Sequence, residues 1–341
     1  MKRILLVGFS AINTALRYNP LTLKILQFIM VPLYTNAVAA NNPTTSSPFT
    51  PTPDQSRGDS LGRFLENKYY SFQELGERKV WYSKSAKAYN DCRPKYPDEI
   101  VDEALKLVTG NRILEIGSGP GTATISLARR GYELLCLEPN PDFCALAREN
   151  VSTQTQQQQH NQFVVHIENV AFEEASTEGL EFDAIVAATC MHWIPSDVGF
   201  PKAAKSLKRG GSLVLLWNMM LTPSSDADFE LIKQAHSPDF QALLAWSDED
   251  TQKEVATSVG DIMMESGLFE NMRSNEIRRH VIYTAAEYLG LLSTYSFYMR
   301  LLPEERSKLF DRIRNVINDE LGGSVELSYL SLYHAATKKD S

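Results

Sequence analysis

Residues Ile113 to Gly121 read ILEIGSGPG: an apolar run carrying one carboxylate, Glu115, that opens into glycines at alternate positions, Gly117, Gly119 and Gly121. An apolar stretch of strand length that ends in glycines is a strand turning sharply into a helix. The missing Cβ atoms let the backbone approach a ligand and leave amides exposed at the helix N-terminus. A glycine turn alone is a weak signal, so its surroundings decide the reading.

From Asn111 onward, apolar runs alternate with helical patterns. The expected strands are Arg112 to Ile116, Glu133 to Glu138, Phe163 to Ile167, Phe182 to Thr189 and Ser212 to Trp217. Asn140-Pro141 starts one helix, while Gly131 and Gly210-Gly211 stop others. The tract TQTQQQQ, residues 153–159, reads as a loop insertion. This rhythm predicts an α/β fold with a doubly wound, Rossmann-like, mostly parallel sheet, whose ligands bind beyond the strand C-termini where the strand order reverses. After Trp217 the pattern changes. Residues 226–270 are helical in period, Asn275 to Ile282 alternates like a strand, and Ala285 to Leu301 and Pro303 to Leu321 read as helices. Gly322-Gly323 then turns into a last strand, Ser324 to Ala336. The two late strands are expected to pair antiparallel and complete the sheet, with the helices forming a cap.

The domain plan follows: a leader over 1–40, a disordered linker over 41–60, a cofactor-binding core over 61–225, and a helical cap with the C-terminal strands over 226–341. The leader has Lys2 and Arg3, an apolar run Ile25 to Tyr34 and a small-residue site Ala37-Val38-Ala39. It reads either as a signal or membrane-associating segment or as an extended start, because Arg17, Lys24 and Pro32 interrupt it and its uncharged run is shorter than the roughly 20 residues that span a bilayer. The linker holds four prolines among Ser, Thr and Asn, too little apolar surface to offset ordering entropy.

At 341 residues and 43% hydrophobic content the chain can fill a proper core. Thirty-four Lys and Arg against 42 Asp and Glu give a net charge of −8 with no dense basic stripe, so a small-molecule substrate is expected and nucleic acid is not. Cys92, Cys136, Cys144 and Cys190 have no CxxC spacing and read as free thiols in a reducing, cytoplasmic compartment. Export or membrane contact through the N-terminal segment is the alternative. The histidines form no metal-ligand pattern, and no G-x-S-x-G elbow is present.

Two acids sharpen the glycine loop. The dinucleotide fingerprint is G-x-G-x-x-G, but here Thr122 stands where the third glycine belongs. Glu115, just before the loop, would repel a diphosphate yet suits a cationic amino group. Glu138, at the tip of the second strand in LCLEPNP, can accept from ribose hydroxyls. Together they point to S-adenosylmethionine, which carries an ammonium, a sulfonium and no phosphate. An NAD(P)-dependent oxidoreductase and a non-catalytic cofactor-binding protein of the same fold are the alternatives.

The segment Ile113 to Asn140 resembles the class I S-adenosylmethionine-dependent methyltransferase family, with E-x-G-x-G-x-G at Glu115, Gly117, Gly119 and Gly121 and the ribose acid at Glu138. Residues Tyr89 to Pro97, YNDCRPKYP, are similar to the Y-x-x-x-R-P-x-Y-P segment of many small-molecule members, including trans-aconitate methyltransferase-like proteins. AATCMHWIP, residues 187–195, resembles their segment after the fourth strand, and LKRGGSLVLLWN their entry to the fifth. The similarity covers about residues 80–220. It implies that Ala171, Phe172 and Glu173 hold adenine, although Asn169-Val170-Ala171 lacks the aspartate of the family's G-D-A. It also implies that Ala188 and Thr189 lie beside the methionine moiety, with His192 and Trp193 facing the methyl. The cofactor carries the hard chemistry of methyl transfer. His192 is the candidate base, or orients an acceptor carboxylate, and its other reading is a structural histidine beside a packing tryptophan. Arg93 either forms a fork with such a carboxylate or ties down the N-terminal flap, and Tyr89 and Trp193 offer aromatic faces to a cation. No metal is expected.

Overall fold

The computed structural model describes residues 74–157, 163–238, 240–241 and 249–340. The expected leader and linker, and the start of the core over 61–73, lie outside the described residues.

The chain enters through helix α1 (Leu75–Val80), a 3₁₀ turn (Ser83–Ser85), α2 (Ala86–Cys92) and α3 (Asp98–Ala104). The alternating unit follows: β1 (Arg112–Ile116), α4 (Thr122–Arg129), β2 (Glu133–Leu137), α5 (Pro141–Gln157), β3 (Val165–Glu168), β4 (Phe182–Ala188), α6 (Ser196–Ser206) and β5 (Leu207–Asn218). A short β6 (Thr222–Pro223) leads to α7 (Asp226–Gln234) and α8 (Glu249–Glu265). The long edge strand β7 (Phe269–Thr284), α9 (Ala285–Leu292), α10 (Ser296–Met299), α11 (Pro303–Asn315) and β8 (Ser324–Lys338) complete the described chain.

One sheet runs β3-β2-β1-β4-β5-β8-β6, and β7 pairs the other side of β8. The first five strands are parallel, whereas β8 is antiparallel to β5, β6 and β7. The fold is the doubly wound sheet with an antiparallel C-terminal pair. The inner strands are buried on both faces, with Leu114 and Ile116 in one apolar cluster and Ile113, Ala184 and Val214 in another, which explains their continuous apolar sequence. The strand order reverses between β1 and β4, so the tips of these two strands frame the crevice where such sheets bind ligands.

Several expectations need correction. Thr153 to Gln157 belong to the last turn of α5 and are not a loop, while 158–162 lie outside the described residues. Gly210-Gly211 do not stop a helix: α6 ends at Ser206 and β5 begins at Leu207. The glycines lie in an irregularity where the register jumps from Phe182↔Leu207 to Ala184↔Ser212, with Gly210 at φ +70°. Strand β7 starts at Phe269, earlier than Asn275, because β8 extends to Lys338 and offers a partner along its whole length. Its outward Glu276, Arg278 and His280 protect a sheet edge.

Residues 285–301 do not form one helix either. Helix α9, opened by a capping box between Thr284 and Glu287, stops at Leu292, and Tyr295 is extended before α10. The helices of this region, with Tyr288, Leu291, Tyr298 and Ile313, join Leu327 of β8 in a third apolar cluster that includes Leu221 and Ile232. No helix among the described residues is long and apolar enough to cross a membrane.

Candidate functional site: the glycine loop and its cavity

The loop after β1 owes its shape to its glycines. Gly117, Gly119 and Gly121 have φ of +59°, +56° and +90°, the left-handed region that costs L-residues with a Cβ roughly 1–2 kcal/mol. A Cβ on Gly117 would meet Cys190 Cβ at 2.7 Å, whereas one on Gly119 would point into open space. Gly117 N donates to Leu137 O at 2.7 Å, which ties the loop to β2, and Gly121 caps α4.

The two acids lie beneath this loop, both buried. Glu115 accepts from Thr124 Oγ1 at 2.6 Å and from Cys136 Sγ at 3.4 Å, through Oε2 alone. Its Oε1 is buried with no partner among the described residues. Glu138 accepts from Gly119 N at 2.8 Å and Asn140 N at 2.7 Å, one bond to each oxygen. Burial pushes both carboxyls up to about 7, against the inward pull of these donors. A carboxylate has about four lone-pair sites, and these two backbone donors occupy two of those on Glu138.

Beside the loop a cavity opens between the tips of β4 and β5 and the segment after α2. Six of the expected residues line it: Tyr89, Arg93, Gly117, Gly119, Ala188 and Thr189. Arg93 is clamped by the cap: Nε donates to Thr294 Oγ1 at 2.8 Å and Nη2 to Thr294 O at 3.1 Å. The rings of Tyr89 and Tyr295 flank its guanidinium at 5.0 and 4.3 Å. It has no carboxylate partner among the described residues. Thr189 has φ +53°, a strained backbone for a β-branched residue. Its amide still continues the ladder to Leu216 O, and its hydroxyl lies 2.7 Å from Tyr96 Oη.

The remaining expected residues lie outside the cavity lining. Gly121 packs against the α5 backbone at Ala147. Ala171 and Phe172 are buried, and Glu173 is ion-paired at 3.0 Å with Arg78 of α1. Trp193 contributes its carbonyl to the same Arg78 and sets its ring 6.0 Å from Tyr82. His192 packs between Trp193 and Trp217, at 5.6 and 5.3 Å, with Nδ1 buried and unpartnered among the described residues. Burial lowers its pKa to about 4, so the ring is neutral at pH 7.

Sequence reasoning passed over Tyr96 and Asn218, which also line the cavity. Tyr96 stands in the quoted RPKYP and Asn218 ends LLWN, so the signal was present. Asn218 Nδ2 donates to Pro94 O at 3.0 Å, and its Oδ1 is buried without a partner among the described residues. Ser118, Met219 and Leu221 line the cavity too and carried no signal. No cluster of His, Cys, Asp or Glu among the described residues could hold a metal.

Comparison with known proteins agrees with this geometry. Residues 113–211 match the family model described as a methyltransferase domain. An uncharacterized methyltransferase of Mycobacterium tuberculosis is 30% identical over 137 residues, 40% of this chain and 51% of that protein. The chain thus spans about half the length of that curated relative. A ubiquinone biosynthesis O-methyltransferase of Xanthomonas axonopodis pv. citri is 26% identical over 169 residues, 48% of this chain and 65% of that one. Among solved structures, a proposed type II methyltransferase of Anaeromyxobacter dehalogenans superposes with a TM-score of 0.52 at 16% identity, covering 72% of this chain and 97% of that one. The likeness is one of fold. Residues 113–211 are thus similar to a methyltransferase domain, and the orphaned polar atoms Ser118 Oγ and Asn218 Oδ1 at the cavity wall fit the polar end of S-adenosylmethionine.

Proposed function

We propose that this protein transfers the methyl group of S-adenosylmethionine to an oxygen of a small molecule, and that this oxygen belongs to a carboxylate. The observation that carries the reading is Arg93: a guanidinium in the cavity wall, held from one side by Thr294 and flanked by two rings, with no carboxylate partner among the described residues. A cation placed so and left without a counter-ion fits an anionic ligand. None of the described lining residues is Asp, Glu or His. A carboxylate needs none, because it is ionised at neutral pH, whereas a hydroxyl acceptor calls for a base.

The bound cofactor would supply a carbon already activated by the sulfonium. The chain's own residues bind and position. Gly117 and Gly119 keep the loop free of side chains, Glu138 accepts from ribose hydroxyls, and Ala171 and Phe172 form the adenine side. Ala188 and Thr189 flank the methionine chain, with Tyr96 pinning Thr189. Glu115 supports the loop from beneath, where an unpaired carboxylate oxygen also weighs against a diphosphate. Tyr89 and Arg93 orient the acceptor, while Trp193, outside the lining, packs against Tyr82 and His192. His192, neutral and packed against tryptophans, serves to shape the turn after β4. Near-attack positioning of this kind supplies up to roughly 7–11 kcal/mol.

Calorimetry with S-adenosylhomocysteine tests the cofactor assignment; absence of binding by the full chain rejects it. Incubation with methyl-labelled cofactor and a metabolite extract, followed by identification of the labelled product, tests the acceptor class. A methyl ester is expected, and a labelled amine or ether rejects the carboxylate. A cytoplasmic location follows from the same reading, since the cofactor is made inside the cell; mass spectrometry of the mature N-terminus checks it.

A further inference from the structure

We propose that a second cavity, between the β5–β6 connection and the C-terminal helices, holds the body of the acceptor, which is then a monocarboxylic acid with an aromatic or branched apolar body. This rests on the reading of the first cavity as the site of transfer.

The two cavities share a partition. Leu221 lines both. Tyr295 lines the second, and its ring faces the guanidinium of Arg93, which lines the first, at 4.3 Å. The Leu221 amide donates to Tyr295 Oη at 3.0 Å, which locks the two sides of the partition together. An acid whose carboxylate meets Arg93 would rest its other end against Leu221 and Tyr295, the boundary that the second cavity shares.

The chemistry of that cavity selects the class of body. Its walls are Met220, Phe229, Ile232, Leu292 and Phe297, and the rings of Tyr295 and Phe297 stack at 5.7 Å with an interplanar angle of 10°. Two buried polar groups in the lining satisfy each other. The His236 Nδ1–H donates to Ile232 O at 2.9 Å, which leaves Nε2 to accept from the Tyr298 hydroxyl at 2.8 Å. Lys233, the one cation among the described lining residues, is ion-paired with Glu230 at 2.8 Å. No cation among the described lining residues is left unpaired to receive a second or third carboxylate, so a polyacid would bury a charge without a counter-ion. Flat or branched apolar groups meet the side chains of Met220, Phe229, Ile232, Leu292 and Phe297.

The test uses the full chain saturated with S-adenosylhomocysteine and titrated with 4-phenylbutyrate or with citrate in a calorimeter. Phenylbutyrate is expected to bind and citrate is not. Met220→Trp, which fills the second cavity from a half-buried position, is expected to weaken phenylbutyrate at least tenfold while the affinity for S-adenosylhomocysteine stays within twofold. Should that variant lose its cooperative melt, Phe229→Ala carries the same test with an expected loss of at least fivefold. The inference is overturned if S-adenosylhomocysteine binds normally but phenylbutyrate does not, if the variants bind phenylbutyrate like the parent, or if citrate binds as well. Failure of S-adenosylhomocysteine itself to bind rejects the proposed function, and this inference with it.

Discussion

Arg93 and Thr294 are 201 positions apart in the chain, yet the Arg93 guanidinium takes both the hydroxyl and the carbonyl of Thr294, at 2.8 and 3.1 Å. Thr294 is fully buried and follows the end of α9. Its carbonyl is turned to the cavity wall and not up a continuing helix. The break in the cap and the placing of the cation are one event.

Replacing Arg93 by Lys keeps the charge and removes the planar fork. Loss of one charged hydrogen bond is worth about 1.5–3 kcal/mol, so kcat/KM for the acceptor should fall roughly 10- to 150-fold. Steady-state rates at saturating cofactor measure it, and an unchanged value removes Arg93 from acceptor binding.

Thr294→Val keeps the shape but removes the hydroxyl that accepts from Arg93 and donates to Leu291 O. A loss of about 1–3 kcal/mol is expected from the unsatisfied guanidinium N–H. Urea unfolding reads this as a lower midpoint at constant slope. The same variant should raise the acceptor KM, which a purely structural contact would not do.

At Gly119 the backbone is left-handed, and a Cβ added there would meet no other atom within 4 Å. Gly119→Val therefore strains the loop and blocks the ligand without colliding with the protein. Binding of S-adenosylhomocysteine should drop at least tenfold while the far-ultraviolet dichroism stays that of the parent. Undiminished binding would place the cofactor elsewhere.

Stability should depend on pH through Glu115. Burial raises its carboxyl from the ordinary 4.5 to about 7, so the folded state binds more protons than the unfolded one between these values. The native state is favoured below about pH 4.5, and this contribution is lost as pH rises through about 7, on the order of 3 kcal/mol in all. Glu115→Gln removes the charge and leaves an oxygen to accept from Thr124. Its melting temperature should exceed the parent's at pH 8 and converge with it at pH 5. A lower value at pH 8 would mean that a further group stabilises the ionised carboxylate.

Where local pattern and burial agree, the chain was readable. Strands β1, β2, β4 and the core of β5 lie within a residue or two of their apolar runs, and Asn140 caps α5 as its position suggested, accepting from the amides of Asp142 and Phe143. The site was legible in part. The glycine loop, Ala188, Thr189, Tyr89 and Arg93 meet at one cavity, whereas His192 and Trp193, adjacent in sequence to that strand tip, turn into an aromatic packing cluster with Trp217. A three-residue 3₁₀ turn after β4 redirects them, and no periodicity reports a turn so short. Asn218 and Leu221 entered the wall only because β5 meets β8 and the cap helices fold back over it.

Taken alone, the order of residues determined the alternating strand and helix units, the glycine turn and the acids at the strand tips, because these depend on side chains a few positions apart and on the twofold and 3.6-fold periods of the backbone. Tertiary structure decided the partner of Arg93, the break after α9, the length of β7 and the two adjoining cavities. Each of these is a contact between segments distant in the chain, set by which carbonyl, ring or strand edge packing brings within reach, and local pattern carries no record of that distance.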